Sequence, residues 1–329
     1  MENPDFKWLE NDLETRLYIQ HSITGIQLSF EAFLYQTKHH LNVQSSNKYF
    51  SFYLFRTGQI PSVACIHFTK NNTNFISPPR APFGGIQCDE KCNANEINWF
   101  LRCINNWFLS QDNYAVMIKT APSCYDDVKT NELLTSAYEL AGYNVTDKFI
   151  NYHIQISPSP FFENITAAEV RRLAKCKKSG FRAGLYYNPD VKIVFDFIEK
   201  SRAAKGYLMS MTFEQLDILI NKFPGQCQIF VVTDEGTIIA LTVTIVVCKK
   251  VLYNFLPADL PAYKSFSPMV YLTETVYNYC QKEEITILDL GISLDHDGIE
   301  KPDLLKFKKN LGGKKSLKVT FEKKLKPGH

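Results

Sequence analysis

A carboxylate and a phenol lie close together where an apolar segment leads into a predicted helix, in the stretch LPADLPAYKSFS at 256–267. They are Asp259 and Tyr263, and Tyr253 precedes them on the apolar segment. A carboxylate can act as a base that takes a proton from a reacting group, and a phenol can give a proton to a leaving group. Asp259 and Tyr263 are therefore candidate catalytic residues, although Asp259 could equally form a turn.

A third carboxylate, Asp289, comes near the end of the apolar run ITILDL at 285–290. Asp289 either binds substrate as a further catalytic candidate or fixes the backbone of the loop at 291–293. Lys308 follows in the stretch LLKFKKNLGG at 304–313, where apolar neighbours would cover its stem. Its ammonium group could bind substrate or merely extend to solvent.

Three cations share one face of the predicted helix at 167–179, since a period of 3.6 residues aligns Arg171, Lys175 and Lys178. The opposite face carries the apolar residues Val170, Leu173 and Cys176. A face of three cations can bind a phosphate, a pyrophosphate or an acidic peptide, and Arg can contact two oxygens at once. The alternative is a solvated face whose cations complement the helix dipole.

Capping signals mark the ends of two predicted helices. Thr166 and Glu169 have the spacing of a capping box, and Gly180 suits the C-terminal cap of the same helix. Ser267 and Pro268 resemble an N-cap followed by proline at the first helical position. The unpaired N–H groups of such a helix start suit an anion, so Ser267 is a candidate substrate-binding residue, with a plain cap as the alternative.

Arg80 stands in the stiff stretch SPPRAPFGG at 77–85 and is a further substrate-binding candidate. We expect no metal site, because Cys88 and Cys92 have no second Cys or His pair at zinc spacing. His39-His40 and the segment DHD at 295–297 also lack partners at a sensible spacing, and we interpret them as surface residues. No Gly-x-Ser-x-Gly, Walker or dinucleotide motif is present.

The overall charge gives no reason to expect DNA binding, because 37 Lys and Arg face 34 Asp and Glu. The N-terminal residues are polar and acidic, without the apolar core of a signal peptide. The longest apolar run, TIIALTVTIVVC at 237–248, is too short for a membrane helix and predicts a buried strand. We therefore expect a cytoplasmic protein without integral membrane association.

The elements that would position these residues occur twice in one order. In the first half a meander of strands at 48–55, 60–69 and 74–77 is followed by a helix at 95–109, a strand at 114–119, a helix at 131–141 and a strand at 148–156. In the second half the corresponding elements lie at 228–232, 238–247, 251–255, 268–280, 285–290, 302–310 and 316–322. Helices are also predicted before each meander, at 30–41 in the first half and at 167–179, 191–205 and 213–222 in the second.

This repeat predicts two tandem α/β domains, an N-terminal one at 1–157 and a C-terminal one at 158–329. The boundary falls in the segment SPSP at 157–160, whose prolines end the preceding strand. Two unrelated α/β domains are the alternative. The order of meander, helix, strand, helix and strand is that of the GNAT acyltransferase fold.

The second half resembles the bacterial Fem-type aminoacyltransferases and their GNAT relatives. The resemblance is carried by VRRLAKCKKSG at 170–180, ADLPAYKSFSP at 258–268, LDLGIS at 288–293 and LLKFKKNLGG at 304–313, and SPPRAPFGG at 77–85 is similar to a loop of the same relatives. Two family features are absent: the helical hairpin found in ligases that use aminoacyl-tRNA, and the glycine-rich pyrophosphate loop of coenzyme A users.

The resemblance implies an acyl- or aminoacyltransferase that forms an amide or ester on an amine or hydroxyl. The acceptor would be a small molecule, possibly a cell-wall or sugar-nucleotide precursor, held between the domains by Arg80 and the face of Arg171 and Lys175. Acyl-CoA or aminoacyl-tRNA would be the co-substrate, with no permanently bound cofactor, and transfer would be direct. The alternative is a GNAT-like protein without catalysis that binds an acidic or phosphorylated metabolite.

Overall fold

The computed structural model describes residues 3–20, 25–44, 48–72, 74–77, 81–111, 115–294 and 298–325. The strands are β1 (Phe6–Glu10), β2 (Leu13–Gln20), β3 (Tyr49–Arg56), β4 (Ala64–Asn71), β5 (Asn74–Ser77), β6 (Gln87–Cys88), β7 (Ala115–Lys119), β8 (Asn144–Gln155), β9 (Arg182–Leu185), β10 (Cys227–Asp234), β11 (Thr237–Cys248), β12 (Val251–Asp259), β13 (Ile287–Ile292) and β14 (Lys314–Lys324). The chain divides into two compact units, unit 1 at 1–149 and 317–329 and unit 2 at 150–316.

The α-helices separate the strands in the order that the sequence predicts. They are α1 (Lys38–Gln44), α2 (Ala94–Leu109), α3 (Val128–Leu140), α4 (Ala167–Lys178), α5 (Val191–Ala203), α6 (Phe213–Lys222), α7 (Pro268–Lys282) and α8 (Pro302–Asn310). Short 3₁₀ turns occur at Leu34–Gln36, Phe161–Glu163 and Pro261–Phe266.

Unit 1 contains a sheet in which β1 to β5 follow one another as antiparallel neighbours and β7 pairs in parallel with β5. On its other side β7 pairs with the end of β14, where Phe321 lies opposite Ile118. The apolar face of α2 packs on this sheet because Ile97, Phe100 and Ile104 recur at helical spacing and are buried. An Asn93–Glu96 capping box fixes the start of α2.

Unit 2 repeats the pattern with β9 to β12 as antiparallel neighbours and β13 in parallel with β12. On its other side β13 pairs with the end of β8, where Asp289 lies opposite His153. The helix α7 covers the core through buried residues such as Val276 and Tyr277. The apolar run at 237–248 is the strand β11, as the sequence predicts.

The predicted α/β fold with two tandem GNAT-like repeats is therefore confirmed. Several details differ from the sequence prediction. The hairpin of β1 and β2 and the short strand β9 were not predicted, and the helix expected at 30–41 is a 3₁₀ turn followed by α1. This break occurs because Thr37 has extended backbone angles, with ψ at 147°. The final strand, which the sequence assigns to the second domain, pairs with β7 in unit 1, while the boundary at 157 and 158 stays a prediction.

Candidate active site

The strands β12 and β13 of unit 2 are paired only at their beginnings. Their parallel register runs from Val251 opposite Ile287 to Tyr253 opposite Asp289, and β12 then continues without this partner to Asp259. The sheet therefore opens beyond Tyr253 and Asp289. In open α/β sheets, ligands bind at such carboxyl ends of parallel strands.

Three polar side chains form a row across the sheet where the strands part. Tyr253 on β12 lies opposite Asp289 on β13, and Asp289 lies opposite His153 on β8, so the three side chains share one face. We call Tyr253, Asp289 and His153 the polar row. Asp289 is 2% exposed and His153 is 8% exposed, so both carry their polar atoms into the protein interior.

The carboxylate of Asp289 fixes the backbone that follows it. Its Oδ1 atom accepts hydrogen bonds from the amide of Asn151 at 2.7 Å and from the backbone N–H of Gly291 at 2.8 Å. A bulge between Asp289 and Gly291 interrupts the pairing with β8, and Gly291 has a φ of 73°. Asp289 therefore fixes the loop at 291–293, one of the two roles that the sequence allowed.

Lys308 approaches the same backbone from α8. Its Nζ donates to the carbonyl oxygens of Gly291 at 2.9 Å and Ile292 at 2.8 Å, and the residue is only 7% exposed. Burial lowers the pKa of Lys308 to about 8, although the nearby charge of Asp289 acts in the opposite direction. The ammonium group is thus held inside the protein by two carbonyls and one carboxylate.

The motif LLKFKKNLGG places Lys308 through its two glycines. A Cβ atom at Gly313 would lie 2.5 Å from the carbonyl oxygen of Lys308, and one at Gly312 would lie 2.5 Å from that of Asn164. The N–H of Gly313 donates to the same Lys308 oxygen at 3.0 Å. Only glycine allows the chain to turn this closely from α8 into β14.

Burial favours the neutral forms of two members of the polar row, Tyr253 and His153. Burial and then the charge of Asp289 raise the pKa of Tyr253 well above its usual value, so its phenol keeps its proton. Burial lowers the pKa of His153 against the opposing effect of Asp289, which favours the neutral imidazole. The buried Nδ1 atom of His153 has no hydrogen-bond partner within the described part of the chain.

Arg202 adds a cation beside Tyr253. It lies on α5, interacts electrostatically with Tyr253, and burial lowers its pKa. One of its terminal nitrogens donates to the carbonyl of Leu208 at 3.3 Å, while its buried Nε atom has no partner among the described atoms. A guanidinium with an unsatisfied donor is suited to an anionic group.

In the structure the predicted base and acid are each engaged by another side chain. Asp259 accepts a hydrogen bond from Lys205 at 2.5 Å, and its backbone is bonded to the Ser201 hydroxyl, which ties α5 to the end of β12. At the rise of a strand, its six-residue separation from Tyr253 corresponds to about 20 Å. The Tyr263 hydroxyl donates to Asp234 at 2.9 Å instead, and this bond raises the pKa of Tyr263.

The predicted basic face is partly engaged. Arg171, Lys175 and Lys178 are exposed, as their shared face requires, and Leu173 and Cys176 on the other face are buried. Lys175 donates to the carbonyl of Ser265 at 2.8 Å and lies over the ring of Phe266. It therefore holds the turn before α7 in place.

Two capping predictions are wrong. Thr166 makes no side-chain cap, because Glu169 is buried and pairs with Arg172 and Asn310 instead of returning to the N-cap. Ser267 occupies the N-cap position but adopts a left-handed conformation with φ at 56°, and its side chain makes no capping bond. Pro268 at the first turn of α7 and Gly180 with φ at 80° after α4 are as predicted.

The remaining predictions concern other sites. His39 is exposed, as predicted, but the prediction that His40 is a surface residue is wrong, because it is only 4% exposed. Arg80 and the segment at 295–297 lie outside the described residues. No three His, Cys, Asp or Glu side chains of the described residues converge as metal ligands would. Among the described helices, none has both the length and the apolar character needed to cross a membrane.

Sequence reasoning missed His153, Asn151 and Arg202. His153 and Asn151 lie more than a hundred positions before Asp289, and strand register alone brings them together. Arg202 is one of several basic residues near the end of the predicted helix at 191–205, with Lys200 and Lys205, so nothing in the sequence singles it out. Sequence reasoning selected Lys308 as a candidate but did not predict how deeply it is buried.

Comparison with known proteins agrees with this architecture. Residues 195–301 match the family model of the acetyltransferase (GNAT) domain. The structure is similar to that of FemX, with a TM-score of 0.65 and 12% identity over 84% of this chain and 87% of that chain. No curated protein matches the chain in sequence.

Two further solved structures are similar at the level of the fold. L-PGS from Bacillus licheniformis has a TM-score of 0.54 and 14% identity over 88% of this chain and 87% of that chain. The tandem GNAT protein from the clavulanic acid biosynthesis pathway has a TM-score of 0.50 and 8% identity over 89% of both chains. Residues 195–301 therefore match the model of a GNAT domain, and the chain shares its tandem fold with these proteins.

Proposed function

We propose that unit 2 transfers an acyl group from a thioester donor, acyl-CoA, to an amine or hydroxyl of a small acceptor. The observation that carries this proposal is the parting of β12 and β13 beside the polar row, inside the matched GNAT domain. The general use of acyl-CoA by GNAT domains supports the choice of donor. Aminoacyl-tRNA remains an alternative donor.

Lys308 is the proposed stabiliser of negative charge. An ammonium group has three N–H donors, and two of those of Lys308 are used by Gly291 and Ile292. The third can donate to the carbonyl oxygen of the donor as the acceptor attacks and that oxygen becomes an anion. A charge held in a buried site is far more effective at this task than one in water.

The polar row supplies the proton transfers. The acceptor amine attacks the thioester carbonyl carbon, a C–N bond forms, and the neutral imidazole of His153 takes the proton that the amine releases. The C–S bond then breaks, and the imidazolium of His153 returns this proton to the departing thiolate, directly or through solvent. The phenol of Tyr253, which keeps its proton, can donate a hydrogen bond to the departing sulfur, so no covalent enzyme intermediate is required.

Arg202 is the proposed contact for an anionic part of a substrate, since its Nε donor is buried and unsatisfied in the described structure. The exposed cations Arg171 and Lys178 are secondary candidates for the same role, as the sequence predicted. The acceptor class proposed from the resemblance, a cell-wall or sugar-nucleotide precursor, carries such anionic groups.

The test is release of free coenzyme A from acetyl-CoA and longer acyl-CoAs in the presence of a panel of amines and hydroxyl compounds. Chromatographic detection is required, because the nine cysteines of the chain would react with a thiol reagent. Lys308→Met should lower kcat/KM by about 100-fold or more if it removes a charge-stabilising donor. Lys309→Met, an exposed neighbour on α8, should leave the rate unchanged.

The pH dependence separates two roles of Lys308. As a charged donor it must be protonated, so kcat/KM should fall as pH rises through about 8. A general base would give the opposite slope. A rate that rises through this range in the native chain but not in Lys308→Met would therefore refute the proposed role.

One observation favours a second function, the binding of an acidic or phosphorylated metabolite without catalysis. The segment before α7, where GNAT donors place their pyrophosphate, is a 3₁₀ turn at Pro261–Phe266 that contains no glycine. The backbone there is approached less closely by a ligand. A metabolite that raises Tm in a thermal-shift screen while no acyl-CoA does so would favour this function over transfer.

A further inference from the structure

Unit 1 contains a cavity of about 370 Å³, and none of its lining residues belongs to the segment 195–301 that the family model matches. It lies at the carboxyl ends of the parallel strands β5 and β7, beside α3, where Gly84 bridges to Thr120. The cavity opens to solvent beside exposed lining residues such as Thr135 and Glu139, and its volume lies in the range of about 300 to 1,000 Å³ that is usual for ligand pockets. A space of this size is therefore suited to a small molecule.

The inner wall of the cavity is held by hydrogen bonds. The backbone N–H of Ile86 donates to the hydroxyl of Tyr138 at 2.7 Å, and the N–H of Gly85 donates to the hydroxyl of Ser77 at 3.1 Å. The amide of Gln36 donates to the carbonyl of Gly85 at 3.1 Å. Gly85 has a φ of 89°, and a Cβ there would lie 3.3 Å from the Tyr138 hydroxyl. This wall is formed in advance of any ligand.

The charged side chains of the lining are mostly acidic: three are carboxylates and one is an ammonium group. The charged lining residues are Asp126, Glu132, Glu139 and Lys148. The carboxylate of Asp126 is partly buried. No hydrogen bond from the described residues is among the causes that shift its pKa. The apolar residues Leu134 and Val319 line the same cavity. A partly buried carboxylate is stabilised by a cation.

We propose that this cavity binds a small ligand that carries a primary ammonium group, with Asp126 as its counter-ion and Leu134 and Val319 against its apolar part. The proposal does not rest on the transfer reaction proposed for unit 2. It also differs in sign from the anionic ligand expected from the basic helix face. An alkylamine combines the two properties that the lining demands, a positive end and an apolar chain.

The protonation of Asp126 gives the site a pH dependence. Burial first, and then the charge of Asp127, raise the pKa of Asp126 to about 6. Cys88 on β6 and Tyr138 on α3 also face it, and neither brings a positive charge. Asp126 is thus charged above about pH 6, where an alkylamine is still protonated, and amine binding should weaken as pH falls below this value.

The test uses 1-aminopentane as probe, with 1-pentanol and pentanoate as neutral and anionic controls, on the full-length chain by saturation-transfer NMR titration. We expect the amine to bind and both controls to bind at least about tenfold more weakly. Asp126→Asn should weaken the amine about tenfold or more without changing the alcohol. Asp12→Asn, an exposed carboxylate of unit 1, should change neither.

A second pair of variants tests the location. Thr135→Phe introduces a ring at an exposed lining position of α3 and should abolish amine binding, whereas Leu140→Phe, on the same helix outside the lining, should not. Absence of amine binding to the native chain, equal binding of the alcohol, or full binding by Asp126→Asn would each overturn the proposal.

Discussion

Replacement of Lys308 by methionine should change how the stability of the protein depends on pH. Lys308 has a pKa of about 8 in the folded protein against an ordinary 10.5. Because the unfolded chain binds more protons between these values, the folded protein gains stability as pH rises through this range. The difference in pKa corresponds to about 3 kcal/mol of cost for the buried charge at neutral pH.

The magnitude that an experiment can measure is the change between two pH values. From pH 7 to pH 10, native Lys308 should gain about 2.5 kcal/mol of unfolding free energy relative to Lys308→Met, which has no such group. At pH 7 the variant also leaves the carbonyls of Gly291 and Ile292 without their donor, at about 1 to 3 kcal/mol each. That loss is independent of pH, so it does not affect the slope.

Urea denaturation followed by far-UV circular dichroism measures this slope. Tryptophan fluorescence is unsuitable because Trp8, Trp99 and Trp107 all lie in unit 1. Lys309→Met serves as control, since Lys309 is exposed on the same helix and its difference from the native chain should stay flat with pH. A flat difference for Lys308→Met as well would refute the burial argument.

Three further changes test the surroundings of Lys308. Gly291→Ala should lower the free energy of unfolding in urea by about 2 to 3 kcal/mol, because the left-handed conformation is strained for alanine and its Cβ would lie 3.2 Å from the Tyr253 ring. The control Gly236→Ala, at a glycine with φ 87° and open space around it, should cost about 1 kcal/mol. Asp289→Asn removes the charge that supports the Lys308 ammonium, so the pKa of Lys308, followed by its ¹³Cε resonance, should fall below about 8; an unchanged resonance would contradict this. Tyr263→Phe loses one part-buried hydrogen bond to Asp234 and should lower stability only slightly without affecting transfer, so a loss of rate would return Tyr263 to the catalytic residues.

The elements with strong periodicity could be predicted from the sequence. The third strand at 74–77 and the helices at 213–222 and 302–310 agree residue for residue, because apolar spacing and turn residues define them locally. The hairpin of β1 and β2 was missed because charged residues interrupt its alternation, as in LETRLYIQ. Its stability comes from packing on β3, which no local pattern encodes.

The candidate site was predictable only in part. Asp289 and Lys308 stood out because a charged residue among apolar neighbours is visible in one sequence. Their partners were not visible, since the position of His153 opposite Asp289 depends on strand register over more than a hundred residues. Asp259 was selected for its place before a helix, yet the strand continues further than predicted and carries it away from Tyr253.

The repeated fold does not place the two proposed sites at the same position. Each unit has a parallel strand pair followed by a helix, β5 and β7 with α3 in unit 1, and β12 and β13 with α8 in unit 2. In unit 2 the buried cation Lys308 lies in the last turn of α8, whereas in unit 1 the carboxylate Asp126 comes just before the first turn of α3. The two proposals therefore depend on different positions of the repeat and can be tested independently. Lys308→Met should lower the rate of transfer without changing amine binding, and Asp126→Asn should weaken amine binding without changing the rate of transfer.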